Sequence, residues 1–251
     1  MKKLIIIVCL TALSFITLNS QAQKINETAV VFLVDATDQP IFNAIESDFN
    51  QNLNVFFTNT GIGKIDFGQR LTIRMGAIDE SDQLTLQCKS IALLDKKVSR
   101  KEAERLRNPK PLLQMIAIEL ARCKQLSEKK MTSSPIIDVT LKAFREMNTE
   151  AREILVICTD GVEYSHYANF YKNIPTTEQS VEKLISIIDP ILLSEAKEQI
   201  ASVDPEVIIV LKTNDKVKNT AELKKFYNEF LHQIGVNTVR FIDNLSNNPN
   251  L

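Results

Sequence analysis

The sequence predicts an α/β fold: a doubly wound, mostly parallel sheet with one antiparallel edge strand and helices on both faces. Three observations lead there. Residues 29–39 (AVVFLVDATDQ) open with six unbroken apolar residues and run straight into an acid and a hydroxyl, as a strand covered on both faces does. A second apolar run, residues 154–158, ends the same way in Thr159, Asp160 and Gly161. Residues 71–88 instead alternate apolar and polar around an acidic turn, the signature of a hairpin at a sheet edge.

Taken in order, the chain opens with Lys2 and Lys3, an apolar stretch from Leu4, and the small residues Ser20 and Ala22 in cleavage spacing. That is a secretory signal over residues 1–22. A retained anchor is disfavoured because Thr11, Ser14 and Thr17 interrupt the apolar stretch. Cys9 lies inside the stretch, and no cysteine stands at the cleavage point to accept lipid. The expected product is exported, periplasmic or extracellular, with no stable membrane anchor. It has one domain over residues 28–244 and a disordered tail over 245–251.

After the first strand, Pro40 and the spaced apolar residues Ile41, Ala44, Ile45, Phe49 and Leu53 predict a helix. Gly61, Gly63 and Gly68 surround Lys64, but phosphate-cradling glycines follow a strand and open a helix, and no Gly-Lys-Ser/Thr is present. This loop is read as a surface turn on the far side. Leu71, Ile73, Met75 and Ala77 form the first hairpin strand; beyond Asp79-Glu80-Ser81-Asp82, Leu84, Leu86 and Cys88 begin the second. Residues 95–107 read as a solvated helix face, and 112–126 as a helix with an apolar stripe. Ser134-Pro135, ahead of Ile136, Ile137, Leu141, Phe144 and Met147, reads as a helix start in which Ser134 is the cap.

Residues 161–179 form a loop that collects Tyr164, Tyr167 and Tyr171, three of only four tyrosines, with His166 and Phe170. Two readings stand: a contact surface for a partner, or a small satellite cluster folded back on the domain. Helical spacing then runs from Ser180, breaks at Pro190 and resumes to Ile200, ahead of a strand at 207–211. Asn219 and Glu222 look like a capping box before the stripe Leu223, Phe226, Tyr227, Phe230, Leu231 and Ile234; Gly235 ends that helix and 238–242 is the last strand. The Asn-rich end from Asn244 reads as a frayed tail.

With 251 residues and 44% hydrophobic content, the chain can bury one substantial core. Losing Lys2 and Lys3 takes 30 basic residues to 28 against 31 acidic ones, a net charge of about −3, which argues against nucleic acid as a partner. Cys88, Cys123 and Cys158 remain, an odd and widely spaced set read as buried free thiols, with a Cys88–Cys123 disulfide as the alternative.

In open α/β sheets, ligands bind beyond the carboxyl ends of the strands, which is where Asp35 falls. A parallel neighbour would bring Asp160 close to it. Two carboxylates and a hydroxyl make a hard oxygen site suited to magnesium, calcium or manganese rather than zinc, and neither motif holds histidine or cysteine.

With the acidic first strand, hairpin edge, Ser-Pro helix start and Thr-Asp-Gly in this order, residues 28–244 resemble the von Willebrand factor type A domain. That resemblance implies a metal-ion-dependent adhesion site made from an Asp-x-Ser-x-Ser loop, a separate threonine and a final aspartate. Asp35 and Thr37 match the first two loop positions, and Gln39 stands where the second serine is expected. Ser134 falls at the separate threonine, with Ser133 as the fallback, and Asp160 matches the final acid. The implied function is a non-enzymatic adhesion or assembly module. Magnesium is the expected cofactor, with manganese or calcium as alternatives, and it would receive an acidic side chain of a protein partner. Tyr164, His166, Tyr167, Phe170 and Tyr171 would supply contact area. A metal-free structural subunit of an envelope complex is the runner-up. The enzyme alternative resembles a magnesium-dependent phosphoryl hydrolase of the haloacid dehalogenase type, but Thr37 occupies the place of its second acid, leaving no general acid.

Overall fold

β1 (Asn26–Asp35) pairs in parallel with β2 (Gln69–Ile78) on one side and β4 (Ala151–Thr159) on the other, so it is central and hydrogen-bonded along both edges. Its alternation explains the unbroken apolar run. Val30, Phe32 and Val34 enter one core, Val31 and Leu33 the other, all fully buried. This is a computed structural model that describes residues 26–60, 65–81, 83–93, 97–129, 131–212 and 219–247. The expected signal segment therefore lies outside the described residues, as do Gly61, Gly63 and Lys64. Among the described residues no helix is long and apolar enough to cross a membrane.

The six strands run in the order β3-β2-β1-β4-β5-β6, with β3 (Gln87–Leu93) antiparallel to β2, and with β5 (Glu206–Leu211) and β6 (Thr238–Ile242) parallel. The expected fold class is the observed one. Strand order reverses between β1 and β4, so the crevice of the doubly wound sheet opens beyond Asp35 and Thr159.

One face is covered by α1 (Gln39–Asn59), α2 (Arg100–Leu106) and α3 (Lys110–Ser127), which contribute Phe42, Phe49, Phe56, Ala103, Leu112 and Cys123 to the first core. The other face carries α4 (Ile136–Arg145), α5 (Glu178–Ile185), α6 (Pro190–Val203) and α7 (Thr220–Gln233), with Phe144, Leu184, Ala196, Phe226 and Phe230 in the second core. Phe32 meets the rings of Phe49 and Phe56 with centroids 5.2 and 5.9 Å away. Truncating such a residue to alanine costs about 3–5 kcal/mol.

The structure differs from several sequence expectations. Cys88 is exposed, because the edge strand is buried only at its Leu93 end; all three described cysteines are free. Burial pushes the Cys123 thiol up to about 12 and Cys158 higher still. β3 begins at Gln87. Leu84 and Leu86 instead cross β2 over Gly76, where any Cβ would meet both side chains and the Thr85 carbonyl at 3.0 Å. The α5 start is earlier than Ser180, with Thr177 and Ser180 forming the capping box. Asn219 precedes α7 but makes no side-chain cap.

The expected tail from Asn244 starts too early. Leu245 is fully buried, and its N–H donates to both oxygens of Asp48, 3.1 and 3.0 Å away. Asp48 also pairs with Lys212 at 2.7 Å, and Lys212 donates to the Asp243 carbonyl at 2.7 Å. A buried acid on α1 thus ties down the chain beyond β6, a tertiary contact that no local composition signals.

Candidate functional site

β1 ends in Asp35, which is only 1% exposed and whose two oxygens are both engaged. Oδ1 accepts the Thr37 N–H at 3.0 Å and the Thr37 hydroxyl at 2.5 Å; Oδ2 accepts the Thr159 hydroxyl at 2.6 Å. The register explains the last bond. Val34 is opposite Cys158, so Thr159 lies across from Asp35 and Asp160 one residue beyond. Burial raises the Asp35 pKa above the ordinary carboxylate range, against the lowering effect of these hydrogen bonds.

Asp160 accepts the Val162 N–H at 2.9 Å, closing an Asx turn at the start of the loop. Gly161 between them has φ +79°, and a Cβ there would lie 3.0 Å from Leu211 Cδ2, so both backbone and packing require glycine. Burial, then the nearby Asp35 charge, pushes the Asp160 carboxyl up to about 7. Two acids at the ends of neighbouring strands resist ionising together.

Three loops converge here. Thr37 and Asp38 from the β1–α1 turn, residues 131–134 from the segment before α4, and Asp160 with Val162 from beyond β4 line a recess of about 130 Å³, edged by Tyr164 and Tyr171. Glu80 holds the middle loop by accepting the Thr132 N–H and hydroxyl at 3.0 and 3.1 Å. Ser134 and Tyr164 exchange backbone hydrogen bonds of 2.7 and 3.0 Å, joining the second loop to the third.

Ser134 does not cap α4. The N-cap position is Pro135, without a side-chain bond, and Ser134 Oγ is buried with no hydrogen-bond partner in a residue 8% exposed. An orphaned hydroxyl beside a recess is what a site for a hard cation would leave. Gln39 is exposed in the first turn of α1 and is absent from the lining; Asp38, which caps α1 by accepting the Ile41 N–H at 3.3 Å, takes its place. Among the described residues no group of three or more His, Cys, Asp and Glu side chains is placed to hold a metal. The polar side chains at the recess are the hydroxyls of Thr37, Thr132, Ser133 and Ser134 and the carboxyls of Asp38 and Asp160.

The aromatic loop divides in two. Tyr164 and Tyr171 stay at the recess, edge to face at 6.1 Å, with Tyr171 65% exposed. His166 and Tyr167, with rings 3.8 Å apart, line a separate groove between α4 and α6 with Asp138, Lys142 and Asp189. Phe170 is not a contact residue: it is buried in the second core, 4.6 Å from the Phe226 ring. A period read only as "aromatic on a loop" could not separate these fates, because the core that claims Phe170 comes from α7.

Sequence reasoning missed three residues. Thr159 was visible in Thr-Asp-Gly, and the parallel register makes it, not Asp160, the direct partner of Asp35. Asp38 carries a helix-cap signal directly ahead of Gln-Pro. Glu163, fully buried, accepts the Ile137 N–H at 2.9 Å and so caps α4 from another loop, a contact with no local signature.

No family model matches the chain, and no curated protein matches it. Among solved structures the human COPII-coat protein Sec24c is similar over 90% of this chain and 31% of that one, with 11% identity and a TM-score of 0.35. The chain thus spans under a third of that protein, and so loose a likeness bears on neither function nor partner.

Proposed function

We propose that this chain is an exported binding module of the von Willebrand factor type A kind, whose recess takes a divalent cation, magnesium first and manganese or calcium as alternatives. One observation carries the proposal: three separate loops bring Thr37, Ser134 and Asp160 to one recess at the reversal of strand order, and Ser134 Oγ is left there without a partner. Thr37, Ser134 and Asp160 would hold the ion, with Asp35 behind them fixing the Thr37 hydroxyl. Few carboxylates and several hydroxyls suit magnesium, which keeps waters and needs few protein charges. When bound, the cation supplies an open position for a carboxylate of a protein partner. Tyr164 and Tyr171 supply apolar area at the rim, where exposed aromatic side chains make effective anchors.

The test is affinity capture with the purified protein, with and without chelator, beside Asp160→Asn and Tyr171→Ala. Capture lost in chelator and in Asp160→Asn, and weakened in Tyr171→Ala, is the expected pattern. Equal capture in all four conditions would remove the cation from the account.

A metal-free structural role is the second reading, and a specific observation favours it: both Asp35 oxygens are already taken by Thr37 and Thr159, while Gln39 stands away from the recess. Under that reading Asp160 keeps its proton near neutral pH and the recess is a packing feature. Capture indifferent to chelator but sensitive to Tyr171→Ala would select it.

A further inference from the structure

We propose that Glu163 is the positioning residue of the recess, holding the Ser134 loop against the Asp160 loop by capping α4 from across the site. The first turn of any helix has N–H groups without intrahelical acceptors. On α4, Pro135 supplies no side-chain cap and the Ser134 hydroxyl is unpartnered, so the acceptor comes from elsewhere. Glu163 Oε2 accepts the Ile137 N–H at 2.9 Å from 26 residues further along the chain. A carboxylate there is also favoured by the helix dipole.

The place of Glu163 gives this bond consequences beyond the helix. It stands three residues after Asp160 and immediately before Tyr164, whose backbone exchanges hydrogen bonds with Ser134, and its own carbonyl accepts the Phe170 N–H at 2.9 Å. One side chain therefore sets the spacing between a hydroxyl loop and a carboxylate loop while starting the tyrosine loop. It does so fully buried, with Oε1 lacking a hydrogen-bond partner. Burying an acid with an unsatisfied oxygen is destabilising. A helix start needing only a cap is met at less penalty by its own N-cap residue, as Asp38 does on α1.

The test combines amide hydrogen exchange in chelator with magnesium titration, on the full protein carrying Glu163→Ala, Glu163→Asp or Glu163→Gln. The second readout rests on the cation-site proposal; the first does not. Glu163→Ala, and Glu163→Asp with its shorter reach, should speed exchange at the Ser134 and Tyr164 amides by about ten-fold or more, with Ile154 and Val156 in β4 unchanged. Magnesium affinity should fall about ten-fold in the same two variants, since a misplaced hydroxyl loop loses a comparable interaction. Glu163→Gln, which keeps an oxygen for the Ile137 N–H, should restore both. If Glu163→Ala does not fold, Glu163→Asp decides. Wild-type exchange at Ser134 and Tyr164 in the Asp variant overturns the positioning role, as does an equal loss of protection in β4. Local loosening in a protein that takes up no magnesium would support positioning while sinking the cation site.

Discussion

The two helices that begin at the recess have their first turns satisfied in opposite ways. α1 is capped within its own turn by Asp38, whose carboxylate accepts the Ile41 N–H three residues on. α4 begins at a proline that caps nothing and borrows the Glu163 carboxylate from the loop beyond β4. A local cap is autonomous, and its loss is felt by one helix. A borrowed cap couples two loops, so a change in either is transmitted to the other.

Acidity should give the largest effect, because the borrowed cap is a buried acid. Burial pushes Glu163 up to about 7 from an ordinary 4.5, and burial with the Asp35 charge pushes Asp160 up to about 7 from 3.8. Between those limits the folded chain holds protons that the unfolded chain has released, so stability falls as pH rises through the window. Each group contributes up to about 1.4 kcal/mol per pH unit there. Urea unfolding in chelator from pH 4.5 to 8 should show this decline, and Glu163→Gln should remove the Glu163 share. A flat or rising profile would mean the acids are solvated.

Removing the caps themselves comes next. Glu163→Ala leaves the Ile137 N–H unsatisfied in the interior, a loss of about 1–3 kcal/mol. Asp38→Ala loses a longer, partly exposed cap and should cost about 0.5–1 kcal/mol. Denaturant midpoints order the two, and Asp38→Ala costing more would reverse the contrast drawn between them. Smallest is Tyr171→Ala: a ring 65% exposed should change stability by no more than about 0.5 kcal/mol, read from the same midpoints.

The contrast also separates what was legible in the sequence from what was not. Most local signals held, the Asn219–Glu222 capping box and the strand start at Leu84 being the exceptions. The six apolar residues before Asp35, the alternation after Leu71 and Pro40 ahead of helically spaced apolar residues each state their own conformation, and the doubly wound sheet follows from them. The other failures depended on distant partners. Cys88 reads as buried until the strand proves to be an uncovered edge, and Ser134 reads as a cap until Glu163 takes that role. Phe170 reads as a contact until Phe226 packs on it, and Leu245 reads as tail until Asp48 binds its N–H. Strand ends singled out Asp35, Thr37 and Asp160, and the Ser-Pro helix start singled out Ser134; Thr37, Ser134 and Asp160 line the recess, while Asp35 bonds Thr37 from outside the lining. The choice between Gln39 and Asp38 turned on side-chain direction in a helix's first turn, which spacing alone does not carry.

The proposed cation site is the central claim, and thermal unfolding of the protein with and without magnesium tests it most directly, with Asp160→Asn alongside. An ion bound only by the folded loops stabilises by about 2.7 kcal/mol at about a hundred times its dissociation constant. For a domain of this size that is a rise of roughly 5–10 °C in Tm. The wild type should show that rise, and Asp160→Asn should show little of it. No change in the wild type with magnesium, manganese or calcium would contradict the claim and leave the recess a metal-free packing feature of the fold.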